Sequence, residues 1–469
     1  MDNLLIEKID ELIENSDVLL ADDTITLINI KSVMGEPKPC APFGEGPKKV
    51  LDKIIEMSEN EGFFTKDYNV GVISASLKEG QPDLGIWVHG DVVPEGTGWL
   101  YEPYRATVYK GCVIGRGATD NKGQFSAIFN LFKIFKKLGV ELKYNPAIYV
   151  GSNEEKGMKD LIGIPDNPDA KGFLNVCTPP KLSLVPDGGF PVGYGGKGGM
   201  QMTFKSKTPV HGFTFTAGQD EAPGNANVIF ENALNCENLE GCTIKKGEKT
   251  EIITFSPPRH GTNPDPNGNM ITMMCSALLD NNLVAEEDRY ILRFYKSVSL
   301  ATDGAMFGID VESYKMNKPL TLCTKKIDFK DGYPELTIDI RYPIEITFEE
   351  IVQKVTETAD RNGFEIVYVN RGVNPYLLDP KGEILKLLKK ASDEVTGEES
   401  EAFIMSGGTY AHRLPNAYVY GMSGYLPPED FPKGHGGAHG MDEAVSIARL
   451  KRAMKIYARA MLWLNEIDW

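Results

Sequence analysis

Histidine and acidic side chains stand in short loops with a spacing that suits the binding of divalent cations. The sequence has six histidines, and one of them opens the triplet His89-Gly90-Asp91 directly after an apolar run. Residues two apart in an extended segment point to the same side, so Asp91 can reach the imidazole and fix its orientation. A structural histidine beside an acid is an equally ordinary interpretation of this triplet.

Four further acidic residues stand in similar surroundings. Asp120 lies in a glycine-flanked turn ahead of an amphipathic segment, while the pair Glu154-Glu155 and the residue Asp187 each follow a short apolar run. Neighbouring carboxylates repel each other unless a cation or a shared proton relieves them. Two alternatives stay open at this point: a turn that caps a helix for Asp120, and a solvated acidic loop for the glutamate pair.

The types of these side chains favour two cations over one. One carboxylate shared by two cations, one further carboxylate on each and a hydroxide balance the charge of two divalent ions, and one histidine on each completes the ligand set. Histidine ligands suit Zn, Mn or Co better than Mg or Ca, which prefer oxygen ligands. We therefore expect two divalent ions per chain, with Zn as the leading candidate and Mn or Co as alternatives.

Strands and helices alternate around these residues. Residues 84–88, 146–151 and 182–185 are apolar runs typical of buried strands, and helical patterns cover 50–57 and 125–138. This order predicts an α/β fold with a mostly parallel sheet flanked by helices. Ligands gather at the carboxyl ends of strands in such sheets, where the candidate residues stand.

A change in composition and hydrophobic pattern after Asp187 predicts a second domain. Seven glycines crowd the positions from 188 to 199, and the α/β pattern returns only near Lys381. We expect a first domain made of residues 1–188 and 381–469, and an inserted α+β domain of residues 189–380. Within the insert, the alternation over 336–341 predicts a half-buried antiparallel strand. In the second segment of the first domain, a long helix is expected over 442–464.

The composition and net charge limit the classes of partner that the chain is expected to bind. The chain of 469 residues carries a net charge of −16, which disfavours nucleic acid and anionic membrane surfaces, because such partners are bound largely through Lys and Arg. The N-terminus has no basic segment before an apolar stretch, and no apolar run is long enough for a membrane span. Seven scattered cysteines without a C-x-x-C pair favour reduced thiols and a cytoplasmic location.

Seven short motifs follow one another over essentially the full chain. They are V-H-G-D-V-V-P (88–94), G-R-G-A-T-D-N-K-G (115–123), E-E (154–155), P-D-G-G-F-P (186–191), I-D-I-R-Y-P (338–343), S-G-G-T-Y-A (406–411) and H-G-M-D-E (439–443). In this order they resemble the aminoacylase and glutamate-carboxypeptidase family of co-catalytic metallopeptidases, and most of all its PepV-type cytosolic dipeptidases, which include carnosinase-like Xaa-His dipeptidases. The resemblance implies a zinc-peptidase-like first domain and an inserted lid.

The resemblance implies a role for each matched residue of the first domain. It assigns His89 and Asp187 to one metal ion, Glu155 and His439 to the other, and Asp120 to both. The competing His435 is set aside because Glu443 follows His439 at the family's spacing. The resemblance further implies that Asp91 orients His89, and that Glu154 is the general base that takes a proton from the attacking water and returns it to the leaving amine.

Substrate contacts are also implied by the resemblance. His260 matches the position that stabilises the tetrahedral oxyanion, and Arg341 matches the position that holds the substrate's C-terminal carboxylate. Asn227 and the turn Gly408-Thr409 are further candidates for the same task. The long insert fits a monomeric plan, in which a doubled lid replaces the contribution of a partner subunit.

Three functions remain to be compared. The first is hydrolysis of short unblocked peptides, chiefly dipeptides, by a two-metal dipeptidase. The second is deacylation of N-acyl amino acids, which needs the same metals and carboxylate clamp and a different pocket on the acyl side. The third is a catalytically silent metal-binding protein, against which the retention of Glu154 and the full ligand set weighs. A two-metal phosphoesterase is disfavoured because few basic residues stand near the motifs.

Overall fold

A computed structural model of the chain describes residues 3–164, 167, 169–218, 224–256, 264–266, 268–309, 311, 313–422, 428 and 430–469. The chain divides into two compact units. The first consists of Met1–Gly195, Leu378–Met405 and Thr409–Trp469, and the second of Gly196–Leu377 and Ser406–Gly408. The short segment Ser406–Gly408 thus groups with the inserted part of the chain.

The N-terminal part of the first unit alternates helices and strands. Its apolar positions recur at helical spacing in the helices and continuously in the central strands, as buried parallel strands require. The elements are α1 (Asn3–Glu14), α2 (Asp17–Ile28), α3 (Glu45–Asn60), β1 (Phe64–Asp67), β2 (Val72–Ser76), β3 (Leu84–His89), β4 (Thr107–Tyr109), β5 (Cys112–Ile114), α4 (Gly123–Leu138), β6 (Pro146–Gly151), α5 (Lys159–Ile162), α6 (Phe173–Val176), β7 (Leu182–Val185) and β8 (Gly193–Gly196).

The second unit is built on an antiparallel sheet of eight strands. Their order is β12-β13-β11-β10-β14-β15-β9-β16, with helices α7 and α9 packed on the β11–β13 and β16 parts of the sheet. Its elements are β9 (Gly198–Ser206), β10 (Phe213–Gly218), β11 (Gly224–Phe230), β12 (Cys242–Lys246), β13 (Thr250–Ser256), α7 (Met270–Asp280), α8 (Arg289–Leu300), β14 (Thr321–Lys330), β15 (Tyr333–Tyr342), α9 (Phe348–Arg361), β16 (Phe364–Val373) and β17 (Tyr376–Leu377).

Strand β15 is antiparallel to both of its neighbours, as the alternation over 336–341 predicts. The prediction that it is half-buried is wrong. Leu336, Ile338 and Ile340 are buried on one face, and Thr337 and Asp339 are buried on the other. The polar residues tolerate burial because they have partners, such as the hydroxyl of Thr203 at 2.9 Å from that of Thr337.

The C-terminal part of the first unit contains α10 (Glu383–Thr396), β18 (Phe403–Met405), β19 (Ala417–Val419), β20 (Ala444–Ser446) and α11 (Ile447–Leu464). The long helix expected over 442–464 begins only at Ile447. Residues 444–446 pair instead with β5 as an antiparallel strand. The two acids that precede them, Asp442 and Glu443, are fully buried and accept hydrogen bonds from loops elsewhere in the chain, so they cannot join the helix.

The sheet of the first unit is mixed. Its strand order is β1-β2-β6-β3-β7-β19-β8, with β18 beside β8. The central pairs β6/β3, β3/β7 and β7/β19 are parallel. The pairs toward both edges, β1/β2, β2/β6 and β19/β8, are antiparallel.

The parallel centre determines where the candidate residues meet. Strands β6, β3 and β7 are neighbours and run in the same direction, so their carboxyl ends lie side by side. His89 is the last residue of β3, while Glu154-Glu155 and Asp187 follow the ends of β6 and β7. One edge of the sheet therefore gathers side chains from three separate parts of the sequence.

Among the described residues, no helix combines the length and the apolar character that crossing a membrane requires. All seven cysteines are free thiols.

We predict that two neighbouring phenylalanines differ sharply in their contribution to stability. Phe63 is buried and meets the rings of Phe129 and Phe132 edge-on, at centroid distances of 5.6 and 6.2 Å, whereas Phe64 is 49% exposed. Phe63→Ala should lower the free energy of unfolding by about 3–5 kcal/mol, because it leaves a cavity in the core. The matched control Phe64→Ala should cost under about 1 kcal/mol. Urea unfolding measures both, and equal losses would contradict the core assignment.

Candidate metal centre

The carboxylate of Asp120 joins two histidines from distant parts of the chain. Its Oδ1 lies 2.9 Å from Nε2 of His89, and its Oδ2 lies 3.0 Å from Nε2 of His439. Each oxygen thus faces a different imidazole. A carboxylate that bridges two cations needs this arrangement, in which each oxygen faces a separate ligand nitrogen.

Two more acids complete two overlapping groups. His89, Asp120 and Asp187 form one group, and Asp120, Glu155 and His439 form the other. In each group the ligand atoms lie within 4.8 Å of one another, and Oε1 of Glu155 is 2.9 Å from Nε2 of His439. Both groups could hold a metal ion. The structure brings together all five residues that the sequence singled out as ligands.

Asp91 holds the neighbouring loop as well as the histidine. The Nδ1 atom of His89 lies 3.0 Å from the carbonyl oxygen of Asp91 and 3.6 Å from its carboxylate. The carboxylate accepts hydrogen bonds from the backbone N–H groups of Glu154 and Glu155, at 3.2 and 3.1 Å. The backbone carbonyl is therefore the closer partner of the imidazole, and the side chain of Asp91 anchors the glutamate pair.

Glu154 is a buried carboxylate with an unused oxygen. Its Oε1 atom has no hydrogen-bond partner within the described part of the chain. Burial, and then the negative charge of Asp187, raise the pKa of Glu154 well above its usual value. Such a group is poised to exchange protons, since its charged form is disfavoured until positive charge comes near.

The donor set fits divalent cations. Burial raises the pKa of Asp187 to about 7 and also raises that of Glu155, with the charge of Asp120 adding to both shifts. The charged forms of these two carboxyl groups are therefore disfavoured until positive charge comes near. Divalent cations would supply that positive charge, and the mixture of carboxylate oxygen and imidazole nitrogen atoms is typical of sites for Zn and its neighbours.

A buried ion pair shapes the loop that carries Asp120. The carboxylate of Glu443 accepts hydrogen bonds from the backbone N–H groups of Gly117, Thr119 and Asp120, each at 3.0 Å. It also pairs with Nη1 of Arg116 at 2.6 Å, and both side chains are about 1% exposed. Four donors on one carboxylate fix this loop from within, so the direction of Asp120 depends on Glu443.

Arg116 extends the same arrangement to the second histidine. Its Nη2 atom lies 3.2 Å from the carbonyl oxygens of both Glu95 and His439. The guanidinium thus joins the segments that carry Asp120 and His439, although 323 positions separate Arg116 from His439 in sequence. Neither Arg116 nor the hydrogen bonds of Glu443 was predicted. The available signals were the lone arginine inside the glycine-flanked turn and the spacing of Glu443 from His439.

His435, the competing histidine, has a different partner. Its Nδ1 atom lies 2.5 Å from Oδ2 of the buried Asp442, and the other oxygen of Asp442 accepts from the N–H groups of Leu100 and Tyr101. Among the described residues, His435 belongs to neither group that could hold a metal ion. Its contacts are those of a histidine that ties two loops together.

Two predicted substrate residues belong to the second unit. Arg341 lies on β15, and its Nε and Nη2 atoms donate to the two oxygens of Asp339 at 2.6 and 3.1 Å. One edge of the guanidinium is therefore taken, and a substrate carboxylate would have to meet the Nη1 edge. Asn227 lies on β11 and donates from Nδ2 to Glu251 at 2.8 Å, while its Oδ1 has no partner among the described residues.

The remaining predicted residues are placed as follows. Gly408 groups with the second unit, and Thr409 belongs to the first. The hydroxyl of Thr409 accepts from the N–H of Ala411 at 3.2 Å and begins a short helical turn, so its side chain has a local structural use. His260 lies outside the described residues, and its predicted contact with the oxyanion stays a prediction.

Sequence comparison finds a matching enzyme family and a relative of similar length. The family described as Peptidase family M20/M25/M40 matches residues 85–463. A protein of Bacillus subtilis (strain 168) named "Putative dipeptidase YtjP" is 27% identical over 466 residues, which cover 94% of this chain and 96% of that protein.

Two solved structures share the fold over almost their whole length. The dipeptidase Dug1p of Saccharomyces cerevisiae has a TM-score of 0.61 at 15% identity and covers 99% of both chains. Human carnosine dipeptidase 1 has a TM-score of 0.58 at 16% identity, covering 98% of this chain and 100% of that one. At such low identity the likeness concerns the fold, and it confirms the predicted α/β class with an inserted second domain.

We predict that Glu443→Gln weakens the binding of divalent cations about 10- to 100-fold, the usual loss when a group that orients ligands is replaced. The amide cannot neutralise Arg116 and directs an N–H₂ group toward backbone donors that need an acceptor. Calorimetric titration of the metal-stripped protein with Zn measures the affinity. Glu394→Gln, which removes an exposed partner of Arg459, is the matched control and should bind Zn as the unchanged protein does. Equal affinity in both variants would contradict this role of Glu443.

Proposed function

This chain belongs to peptidase family M20/M25/M40, and on that premise we propose that it is a two-metal dipeptidase that hydrolyses the peptide bond of short unblocked peptides. The observation that carries the proposal is the arrangement of Asp120 between His89 and His439, together with the buried carboxylate of Glu154, whose Oε1 atom has no hydrogen-bond partner among the described residues. These residues supply ligands for cations and a group that can move a proton. Both are required for metal-assisted hydrolysis of an amide.

In this proposal, five residues hold two divalent cations. His89 and Asp187 would hold one, Glu155 and His439 would hold the other, and Asp120 would contribute to both. Zn is the proposed ion, with Mn and Co as alternatives that share the preference for mixed oxygen and nitrogen ligands. When bound, such cations polarise the scissile carbonyl and lower the pKa of water.

Glu154 is the proposed general base and acid. It takes a proton from the attacking water and returns it to the nitrogen of the leaving amino acid, so one carboxylate serves both transfers. The raised pKa of Glu154 supports this role, because the carboxyl group then holds an accepted proton more readily than an exposed glutamate does. Hydrogen bonds from Glu154 and Glu155 to the buried Asp91 hold the backbone of the pair.

The proposed substrate contacts come from several segments. Arg341 would bind the C-terminal carboxylate of the substrate through its Nη1 edge, assisted by Asn227 and by the turn Gly408-Thr409. His260 would donate to the oxyanion. Gly199 supports the substrate-binding role of Arg341, because a Cβ atom at that position would lie 2.9 Å from Nη1 of Arg341. The absence of a Cβ there leaves the edge of the guanidinium clear.

Dipeptide hydrolysis is favoured over deacylation by the names of similar proteins. YtjP, Dug1p and human carnosine dipeptidase 1 are each described as a dipeptidase. Deacylation of N-acyl amino acids remains the second candidate, since it uses the same metals and differs only on the acyl side of the substrate. A silent metal-binding protein is disfavoured by Glu154, which serves no hydrogen-bonding purpose at its Oε1 atom among the described residues.

We also propose a monomeric enzyme of the cytoplasm. The free cysteines suit a reducing compartment. The eight-stranded sheet of the second unit suits the doubled lid of a monomeric relative. Size-exclusion chromatography with light scattering tests the monomer, and a stable dimer would contradict it.

We predict metal-dependent release of free amino acids from dipeptides. Metal-stripped protein should be inactive, restored Zn, Mn or Co should return activity, and Glu154→Gln should lower kcat at least about 100-fold, because no group then moves the proton. The assay uses a panel of dipeptides together with the matching N-acetyl amino acids. The variant Glu394→Gln controls for a lost surface carboxylate.

The same panel separates the alternatives. Cleavage confined to the acetylated substrates would make the protein a deacylase. Binding of two metal ions without any turnover would leave a silent binder.

We predict that Arg341 contributes to KM. The double variant Arg341→Met/Asp339→Asn avoids leaving a buried unpaired carboxylate and should raise KM for dipeptides roughly 10- to 100-fold, as expected for one lost charged contact. The same double variant should leave KM unchanged for the corresponding dipeptide amides, which lack the carboxylate. The single variant Asp339→Asn is the control. An equal rise of KM for acids and amides would argue against a carboxylate contact.

A further inference from the structure

The backbone of the loop that carries Glu154 is hydrogen-bonded to two buried carboxylates. Oδ2 of Asp160 accepts hydrogen bonds from the backbone N–H groups of Ser152 and Asn153, at 2.8 and 3.0 Å. Asp91 accepts from the next two N–H groups, those of Glu154 and Glu155. Four successive amides directly after strand β6 are therefore bound by side chains, two to each acid.

Tyr410 adds a third donor to the same oxygen of Asp160. Its hydroxyl lies 2.5 Å from Oδ2, and both residues are at most 1% exposed. The tyrosine comes from the S-G-G-T-Y-A motif, 250 positions further along the chain. The contact thus connects the loop after β6 with the segment that follows β18.

Gly151 shows how closely this connection is built. A Cβ atom at that position would lie 1.8 Å from the hydroxyl of Tyr410 and 2.3 Å from Oδ2 of Asp160. Both groups are held by well-packed neighbours, so neither can yield to a side chain. Strand β6 ends in a glycine because the tyrosine and the aspartate occupy the space where a side chain would stand.

Burying Asp160 is costly. Burial, and then the charge of Asp91, raise the pKa of Asp160 to about 7. Its second oxygen, Oδ1, has no hydrogen-bond partner within the described residues. An asparagine would keep an acceptor oxygen facing these donors without the charge, which makes Asp160→Asn an informative variant.

We propose that Asp160 and Tyr410 are positioning residues, which together fix the backbone of residues 152–155 and thereby hold the carboxylate of Glu154 where it exchanges protons with the reacting groups. This inference rests on the proposed function, since it needs Glu154 as the base. Tyr410 does not touch the reacting atoms, and it acts through Asp160 and the loop amides. Small displacements of a catalytic group reduce the rate of the chemical step far more than they reduce binding.

Tyr410→Phe tests the pair with the smallest change. It removes one hydroxyl and should lower kcat for a cleaved dipeptide roughly 10- to 100-fold at saturating Zn, with KM within about twofold of the unchanged protein. Tyr144→Phe is the matched control. Tyr144 is also buried and donates to a carbonyl, that of Met461, but stands before the opposite end of β6. It should leave kcat unchanged.

Asp160→Ala and Asp160→Asn separate positioning from general stability. Alanine removes the acceptor and should lower kcat at least as much as Tyr410→Phe, whereas asparagine keeps the oxygen and should restore kcat to within about fivefold of the unchanged protein. Circular dichroism and the melting temperature show whether each variant is folded. If Asp160→Ala does not fold, Tyr410→Phe and Asp160→Asn still decide the question.

Hydrogen exchange gives a readout that does not depend on activity. The amides of residues 152–155 should exchange faster in Tyr410→Phe than in Tyr144→Phe, because their acceptor has lost a partner. Unchanged exchange, or an unchanged kcat in an active enzyme, would overturn the proposal. If the protein cleaves no substrate, the proposed function is contradicted, and so is the catalytic role assigned to Glu154. The exchange rates would still show whether Asp160 and Tyr410 anchor the loop of residues 152–155.

Discussion

The structure of the first unit depends on how buried carboxylates are satisfied. A carboxylate removed from water needs donors or a cation, and the two solutions are divided among the acids of this site. Asp91 and Glu443 are satisfied by backbone N–H groups, and Glu443 also by Arg116. Among the described residues, Asp187 and Glu154 lack comparable donors, and burial raises the pKa of each. The first pair holds loops in place, whereas the charged forms of the second pair would be stabilised by a nearby cation.

The anchoring acids act on two loops of the first unit. Asp91 and Asp160 hold the amides after β6, whereas Glu443 holds the turn before α4. A buried ion pair such as that of Glu443 with Arg116 contributes little net stability, because its desolvation offsets its attraction. The effect of the anchoring acids is on geometry. They determine the direction of side chains that a flexible loop would leave undefined, and the proposed chemistry depends on that direction.

Much of the site could be predicted from local sequence. His89, Glu155 and Asp187 follow apolar runs, and neighbouring parallel strands bring their carboxyl ends to one edge. His439 could be chosen over His435 only through the family resemblance, because both histidines stand in similar glycine-rich surroundings. Helix α11 begins later than expected, because Asp442 and Glu443 accept hydrogen bonds from loops that lie far away in sequence.

The sequence alone determined the types of ligand, the strand ends that carry most of them and the α/β order of the elements, because these depend on periodicity and on residue chemistry within a few positions. Only the tertiary structure revealed that Arg116, Glu443, Asp160 and Tyr410 hold the loops of the site. It also showed that Asp339 takes one edge of Arg341, and that Thr337 and Asp339 are buried. These facts depend on contacts between segments that the chain brings together only after folding. No local pattern encodes which distant amide a buried carboxylate will meet.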